Sequence, residues 1–266
     1  MSGQRTELTL HQFLFSHFNE KVRWALDYKG IVHQRVAHLP GPHRPTIQKL
    51  SGQGQTPVLT IGPQVIAGSA RIIDVLEARF PLPGLYPADA EARAAALSLQ
   101  KRFDDTVGPA VRTALFSVLI QEPAYLTSMF ARNTSAPVRL LYRASFPLAR
   151  GMIARGNGVT DPDNVTQAFE LTEAALEEVA SQSQTTGYLV GDAFSIADLS
   201  AAALLAPLVS LDHPDMARPE PAPAALTAFY SRWADHPGAA WVSSQYQAHR
   251  AYQQPAPEPS SRPELR

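Results

Sequence analysis

The sequence predicts a small α/β domain followed by an all-helical domain. Three observations carry this expectation. Strand-like and helix-like stretches alternate in the order β-α-β-α-β-β-α over residues 1–81, the pattern of one α/β unit. From 89 to 252 apolar residues recur at helical spacing only, with no further strand pattern. The stretch Leu82–Ala88, carrying Pro83, Gly84 and Pro87, separates the two parts, and residues 253–266, with four prolines between Pro255 and Pro263, read as a disordered tail.

The elements follow in order. Leu8–Phe15 is rich in β-favouring residues without a breaker and reads as a strand. Ser16 stands in an N-cap position, and Val22, Ala25, Leu26 and Lys29 recur at helical spacing up to Gly30, which suits the residue after a C-cap. Ile31–Leu39 is a second strand, Pro40–Pro45 a loop, and a brief helix ends near Leu50. Pro57 then opens a hairpin of Val58–Ile61 and Gln64–Ala67, turned at Gly62-Pro63. Ser69 is expected to cap a helix whose apolar stripe is Ile72, Ile73, Leu76 and Phe80, stopped by Pro81–Gly84. Asp89–Ile120 reads as one long helix kinked at Gly108-Pro109. A less regular helical region, 124–155, carries Arg132, Arg139, Arg143, Arg150 and Arg155 and is expected to be amphipathic with a solvated basic face. Pro162 opens a helix to Gln182, Gly187–Phe194 is a loop, Ser195–Leu208 an Ala/Leu-rich helix, and Pro223–Asp235 the final helix.

Composition excludes several classes of function. The net charge of -1 gives no global field favouring nucleic acid or an anionic membrane. There is no phosphate-binding loop or nucleic-acid motif, and no run of roughly 18 apolar residues that would span a bilayer. Met1–Glu7 has no apolar stretch of the kind that marks a signal peptide, so a cytoplasmic location is expected. There are no cysteines, which rules out disulfides, thiolate metal sites and cysteine nucleophiles in this chain. The eight histidines are scattered, with no pair on one helical face, and no metal site is expected.

Three stretches in order resemble the glutathione transferase family, and the likeness runs to about Gln247. Ser16–Leu26 looks like the family's first helix with its active-site turn. Thr56-Pro57-Val58-Leu59 through Ile66–Ile73 resembles the segment that holds a cis-proline and the glutathione-binding turn. Tyr188–Asp198 resembles the family's helix-capping box. The resemblance implies a thioredoxin-like N-terminal domain, an all-α C-terminal domain and a homodimer. It also implies glutathione as cosubstrate and a small, largely apolar electrophile as its partner, with detoxification as the general role.

The resemblance also assigns residues. Ser16 occupies the place of the family's catalytic serine. A thiol of pKa near 8.5 is only about 3% thiolate at neutral pH. One charge-assisted hydrogen bond, about 1.5–3 kcal/mol, lowers that pKa by roughly one to two units. The other reading of Ser16 is an N-cap that never meets substrate. Asn19 sits where cysteine-type members carry their thiol, which excludes mixed-disulfide chemistry there. Gln55, Thr56, Pro57, Val58, Gly68 and Ser69 form the expected glutathione site. A cis Pro57 would turn the Val58 backbone toward a bound peptide; a trans proline entering an edge strand is the alternative. Ser69, near a helix N-terminus, suits a carboxylate. Two positions depart from the family pattern: Gly68 replaces an acidic residue or Gln, and Gln55 replaces a frequent lysine. Phe18, Phe103 and Val107 are the expected contacts of the second substrate. A non-catalytic binding or regulatory protein on the same fold is the rival reading, and an isomerase or peroxidase using the same thiolate is a third.

Overall fold

The computed structural model describes residues 7–253 of the 266-residue chain, so the expected tail falls outside the described residues from position 254 onward. Four strands, β1 (Leu8–Gln12), β2 (Gln34–Ala37), β3 (Val58–Ile61) and β4 (Gln64–Ala67), form one sheet in the order β2-β1-β3-β4. β1 and β2 are parallel, and the other two pairings are antiparallel. Leu10 lies opposite Leu59, and Leu59 opposite Ile66, so one row of side chains crosses three strands. That row shares a core with Val22 and Leu26 of α1 (His17–Tyr28) and with Ile72, Ile73 and Leu76 of α3 (Ser69–Arg79). A short helix, α2 (Arg44–Ser51), follows β2. The result is the thioredoxin-like arrangement the sequence leads one to expect, with shorter strands. β1 ends at Gln12 because Phe13, Leu14 and Phe15 leave the sheet to line a cleft.

Two local expectations are corrected. Ser69 is not the cap of α3 but its first helical residue; the cap is Gly68, at φ 92, a left-handed conformation that a residue with a Cβ adopts only under strain. The expected long helix is three pieces: α4 (Ala90–Arg102), a wide π turn over Phe103–Val107, and α5 (Gly108–Leu119). Pro109 donates no backbone hydrogen bond and crowds the carbonyl four residues back. The chain relieves this just upstream, where the Gly108 N–H bonds to Phe103 O in the wide pattern of a π turn.

The helical part continues with α6 (Pro123–Phe130), α7 (Ala136–Gly156), α8 (Pro162–Gln182) and α9 (Ile196–Leu205), the last extended by a 3-10 turn over Ala206–Leu208. Every residue of α9 is buried, and its alanines let α1, α4 and α8 approach closely. Its start is a complete capping box: Ser195 Oγ accepts from the Ala197 N–H, and Asp198 accepts from the Ser195 and Leu189 N–H groups. α10 (Ala224–Ser231) is shorter than expected, and a further helix, α11 (Pro237–His249), follows it. The sequence reading stopped at Asp235 and missed α11, whose start is marked by His236 accepting from the Gly238 N–H and by Pro237 at the first helical position.

A buried ion-pair network ties the two parts together. Arg250, at the end of α11, donates to Glu20 and Asp27 of α1 (both 2.7 Å) and to Asp215 (2.6 Å). Arg23 pairs with Glu20 at 2.7 Å, and Arg35 of β2 bridges Asp27 and Asp215, both at 2.8 Å. Trp24 adds a bond from its indole N–H to His249 O at 3.0 Å.

Candidate active site

A cleft of about 1470 Å3 opens between the β1–α1 turn, the start of α3 and helices α4 to α7. Ser16 lines it at the N-terminus of α1. The hydroxyl accepts from the Asn19 N–H over a long 3.4 Å, so the capping bond is weak and the oxygen remains free to engage another donor or to donate. The helix dipole adds a positive field at the same place. Asn19 is fully buried and turned away from the cleft; its Nδ2 donates to Thr56 Oγ1 at 3.2 Å and holds that loop against α1.

The next residue has a structural task. His17 is buried, and its Nε2 lies 3.0 Å from Gly108 O; since a carbonyl only accepts, Nε2 carries the proton. Burial, joined by the charge of Arg112 and then Arg218, pulls its pKa down to about 3, so the ring is neutral near pH 7. His17 thereby pins the start of α1 to the start of α5. Gly108 leaves room there for Phe18, whose ring would have to shift from a Cβ only 2.8 Å away.

The expected glutathione residues largely converge. Gln55, Thr56, Pro57, Gly68 and Ser69 all line the cleft, and the Thr56–Pro57 peptide is cis. Val58 does not line it; the side chain is fully buried and pairs with His11 and Ala67. Ser69, Ala70 and Arg71 bring the first turn of α3 to the cleft wall, with N–H groups that have no carbonyl earlier in the helix. Gly68 has no side chain to offer, and its φ of 92 explains why one is not easily placed there.

Of the expected second-substrate residues, Phe18 lines the cleft, whereas Phe103 and Val107 do not. Both face inward from the π turn and are fully buried in the core. The apolar wall is instead made by Leu115 and Phe116 of α5, Met129 and Phe130 of α6, and Phe146 and Ile153 of α7. Arg139, Arg143, Arg150 and Arg155 are exposed, as a solvated face requires. Asp104 is taken up by Lys21, with Nζ 2.7 Å away, and Asp105 pairs with Lys101 on the surface.

Sequence reasoning missed Arg112, Arg218, His38, His43 and Tyr142 as cleft residues. They lie far apart in the chain, and only the packing of the 38–43 segment, α5, α7 and the 209–223 loop brings them together. Glu20, His213 and Asp215 bring possible metal-ligand atoms within 4.8 Å of one another, but Arg250 already bonds both carboxylates and supplies the positive charge a metal would bring.

Comparisons with known proteins agree with this fold. Residues 10–84 match the glutathione S-transferase N-terminal domain, and residues 162–245 match the glutathione S-transferase C-terminal domain. The fold and the cleft define a thioredoxin-like protein with an all-helical partner domain. The chain belongs to the glutathione S-transferase superfamily. It is 35% identical over 89 residues to the maleylpyruvate isomerase of a Ralstonia species, covering 32% of this chain and 42% of that one. It is 38% identical over 96 residues to glutathione S-transferase 1 of Dianthus caryophyllus, covering 35% and 43%. The chain thus matches about two fifths of the length of these curated relatives. A glutathione S-transferase of Methylobacillus flagellatus KT, solved with GSH bound, superposes with a TM-score of 0.59 at 17% identity, covering 91% and 95%.

Proposed function

We propose that this protein joins the glutathione thiolate to small, largely apolar electrophiles. The observation that carries the reading is the placement of the Ser16 hydroxyl at the N-terminus of α1, in a cleft also lined by cis Pro57 and Ser69. In the proposed pose the γ-glutamyl carboxylate meets the first turn of α3, where Ser69 and the free N–H groups favour an anion. Thr56, Pro57 and the Val58 backbone hold the peptide, and the sulfur reaches Ser16. The hydroxyl donates to the sulfur, and the thiol proton is lost to solvent. The thiolate adds to the electrophilic carbon, forming the S–C bond as the compound's π bond breaks and its electron pair takes up a proton from solvent. The wall from Leu115 to Phe146 receives the electrophile. By the same reading the chain divides at the 82–88 linker, works as a homodimer and resides in the cytoplasm.

The rival, a binding protein that has lost glutathione, draws support from Gly68, which offers no side chain to the ligand's amine, and from Gln55, which offers no charge. The isomerase relative supports a third variant in which the same thiolate adds and later leaves. Calorimetry with glutathione separates the first reading from the rival. Binding with a dissociation constant at or below the millimolar range is expected; no heat and no thermal shift at several millimolar would transfer the assignment to a non-catalytic binding protein.

A further inference from the structure

Two half-buried arginines line the cleft. Arg112 of α5 and Arg218 of the 209–223 loop form no side-chain hydrogen bond and no ion pair among the described residues, although Arg112 Nε and Arg218 Nη1 are out of reach of solvent. Buried polar groups in folded proteins are nearly always paired, and an unpaired guanidinium is among the costliest exceptions. The chain's other buried arginines obey the rule, with Arg23, Arg35 and Arg250 each held by carboxylates. The exception therefore calls for a ligand.

The surroundings say which kind. Both arginines line the same cleft as Ser16, and the charge of each bears on the His17 ring next to it. His17 is neutral and offsets none of their charge. Arg218 stacks over the Tyr230 ring at 5.2 Å, and Tyr125 beside it spends its hydroxyl on Pro219 O. Burial draws the Arg218 guanidinium down to about 10, which still leaves it charged near pH 7. The acids of the cleft are engaged elsewhere, Asp104 with Lys21, Asp105 with Lys101 and Asp74 with the Tyr86 hydroxyl. The same cleft has apolar wall residues in Leu115, Phe116 and Phe130, the first two about a turn from Arg112 on α5.

We propose that Arg112 and Arg218 form a carboxylate-binding subsite, so that the second ligand of the cleft is an apolar compound bearing a carboxylate. This deepens the transferase reading and rests on it for the identity of the first ligand. A guanidinium matches a carboxylate with two parallel N–H···O bonds, and the apolar wall takes the body of the molecule. The subsite would hold the electrophile beside the sulfur with one orientation.

Calorimetry with 3-phenylpropionate and its uncharged amide tests the proposal without turnover. A charge-assisted contact of about 1.5–3 kcal/mol predicts that wild type binds the carboxylate roughly ten- to a hundredfold more tightly than the amide. Arg112→Met and Arg218→Met should each bring that ratio toward one, while Arg218→Lys keeps part of it. Because Arg112 has no protein partner to lose, Arg112→Met should melt at or above the wild-type temperature, whereas Arg218→Met gives up its contact with the Tyr230 ring and should melt no more than slightly lower. Equal affinities in wild type overturn the subsite, as does a ratio unchanged in both Met variants. Glutathione titrated into the same samples keeps the two readings apart. Carboxylate preference without glutathione binding leaves the subsite and removes the transferase; glutathione binding without carboxylate preference does the reverse.

Discussion

Replacing Arg250 by Met would disconnect the helical part from α1 at its most buried point. The guanidinium bonds Glu20, Asp27 and Asp215 at 2.6–2.7 Å, and the side chains of Glu20 and Asp27 are fully buried. Removing one partner of a buried ion pair costs about 3–5 kcal/mol, because a charge is left without compensation. Here Arg23 still serves Glu20 and Arg35 still serves Asp27, so the lower end, about 3 kcal/mol, is expected. For a chain of this size that lowers the melting temperature by roughly 6–12 °C. The pH dependence sharpens the test. Burial alone would raise the Glu20 carboxyl, but Arg250 and Arg23 outweigh it and hold it down to about 2. A carboxyl depressed in the folded state contributes stability that is present above the unfolded value, near 4.5, and is lost as pH falls toward 2. In Arg250→Met the carboxyl moves up, so the gap between wild type and variant is widest at pH 7 and narrows by pH 3. Thermal melts followed by circular dichroism at the two pH values measure it. A loss under about 1 kcal/mol, or a gap that stays constant or widens in acid, would refute the ion-pair account.

Two further outcomes are expected. Gly238→Ala would place a Cβ 2.2 Å from Leu176 O, where only backbone can give way, so α11 must shift off α8; a loss of more than about 2 kcal/mol is expected in urea melts, and a neutral substitution would mean the helices are not in contact. Light scattering at micromolar concentration should give twice the chain mass of 28.9 kDa, and a monomer would remove the homodimer from the account.

What the sequence disclosed and what it hid divide along the range of the interactions. The hairpin Val58–Ile61/Gln64–Ala67, the α8 span Pro162–Gln182 and the Ser195–Asp198 box were legible because each is set by neighbours within a few residues. The π turn before Gly108 was not, since Gly-Pro announces a break without saying which side yields. α11 was missed because it starts at His-Pro rather than at a Ser or Asp cap. Phe103 and Val107 have the spacing of a helical face, but spacing does not say whether that face meets a cleft or a core. Arg112 and Arg218 lie 106 positions apart in sequence number, and nothing local marks either as a cleft residue.

The central claim is that Ser16 turns bound glutathione into a nucleophile, and the ultraviolet absorbance of the bound thiolate, followed against pH, tests it most directly. In wild type the thiol should titrate roughly one to two units below its free value near 8.5. In Ser16→Ala the curve should move back up by that amount, and turnover at pH 7 should fall roughly ten- to a hundredfold. The 3.4 Å cap bond from Asn19 predicts only a small cost in stability for the same change, toward about 0.5 kcal/mol. Superimposable titration curves for the two proteins, with the variant merely melting earlier, would contradict the claim and leave Ser16 as a helix cap.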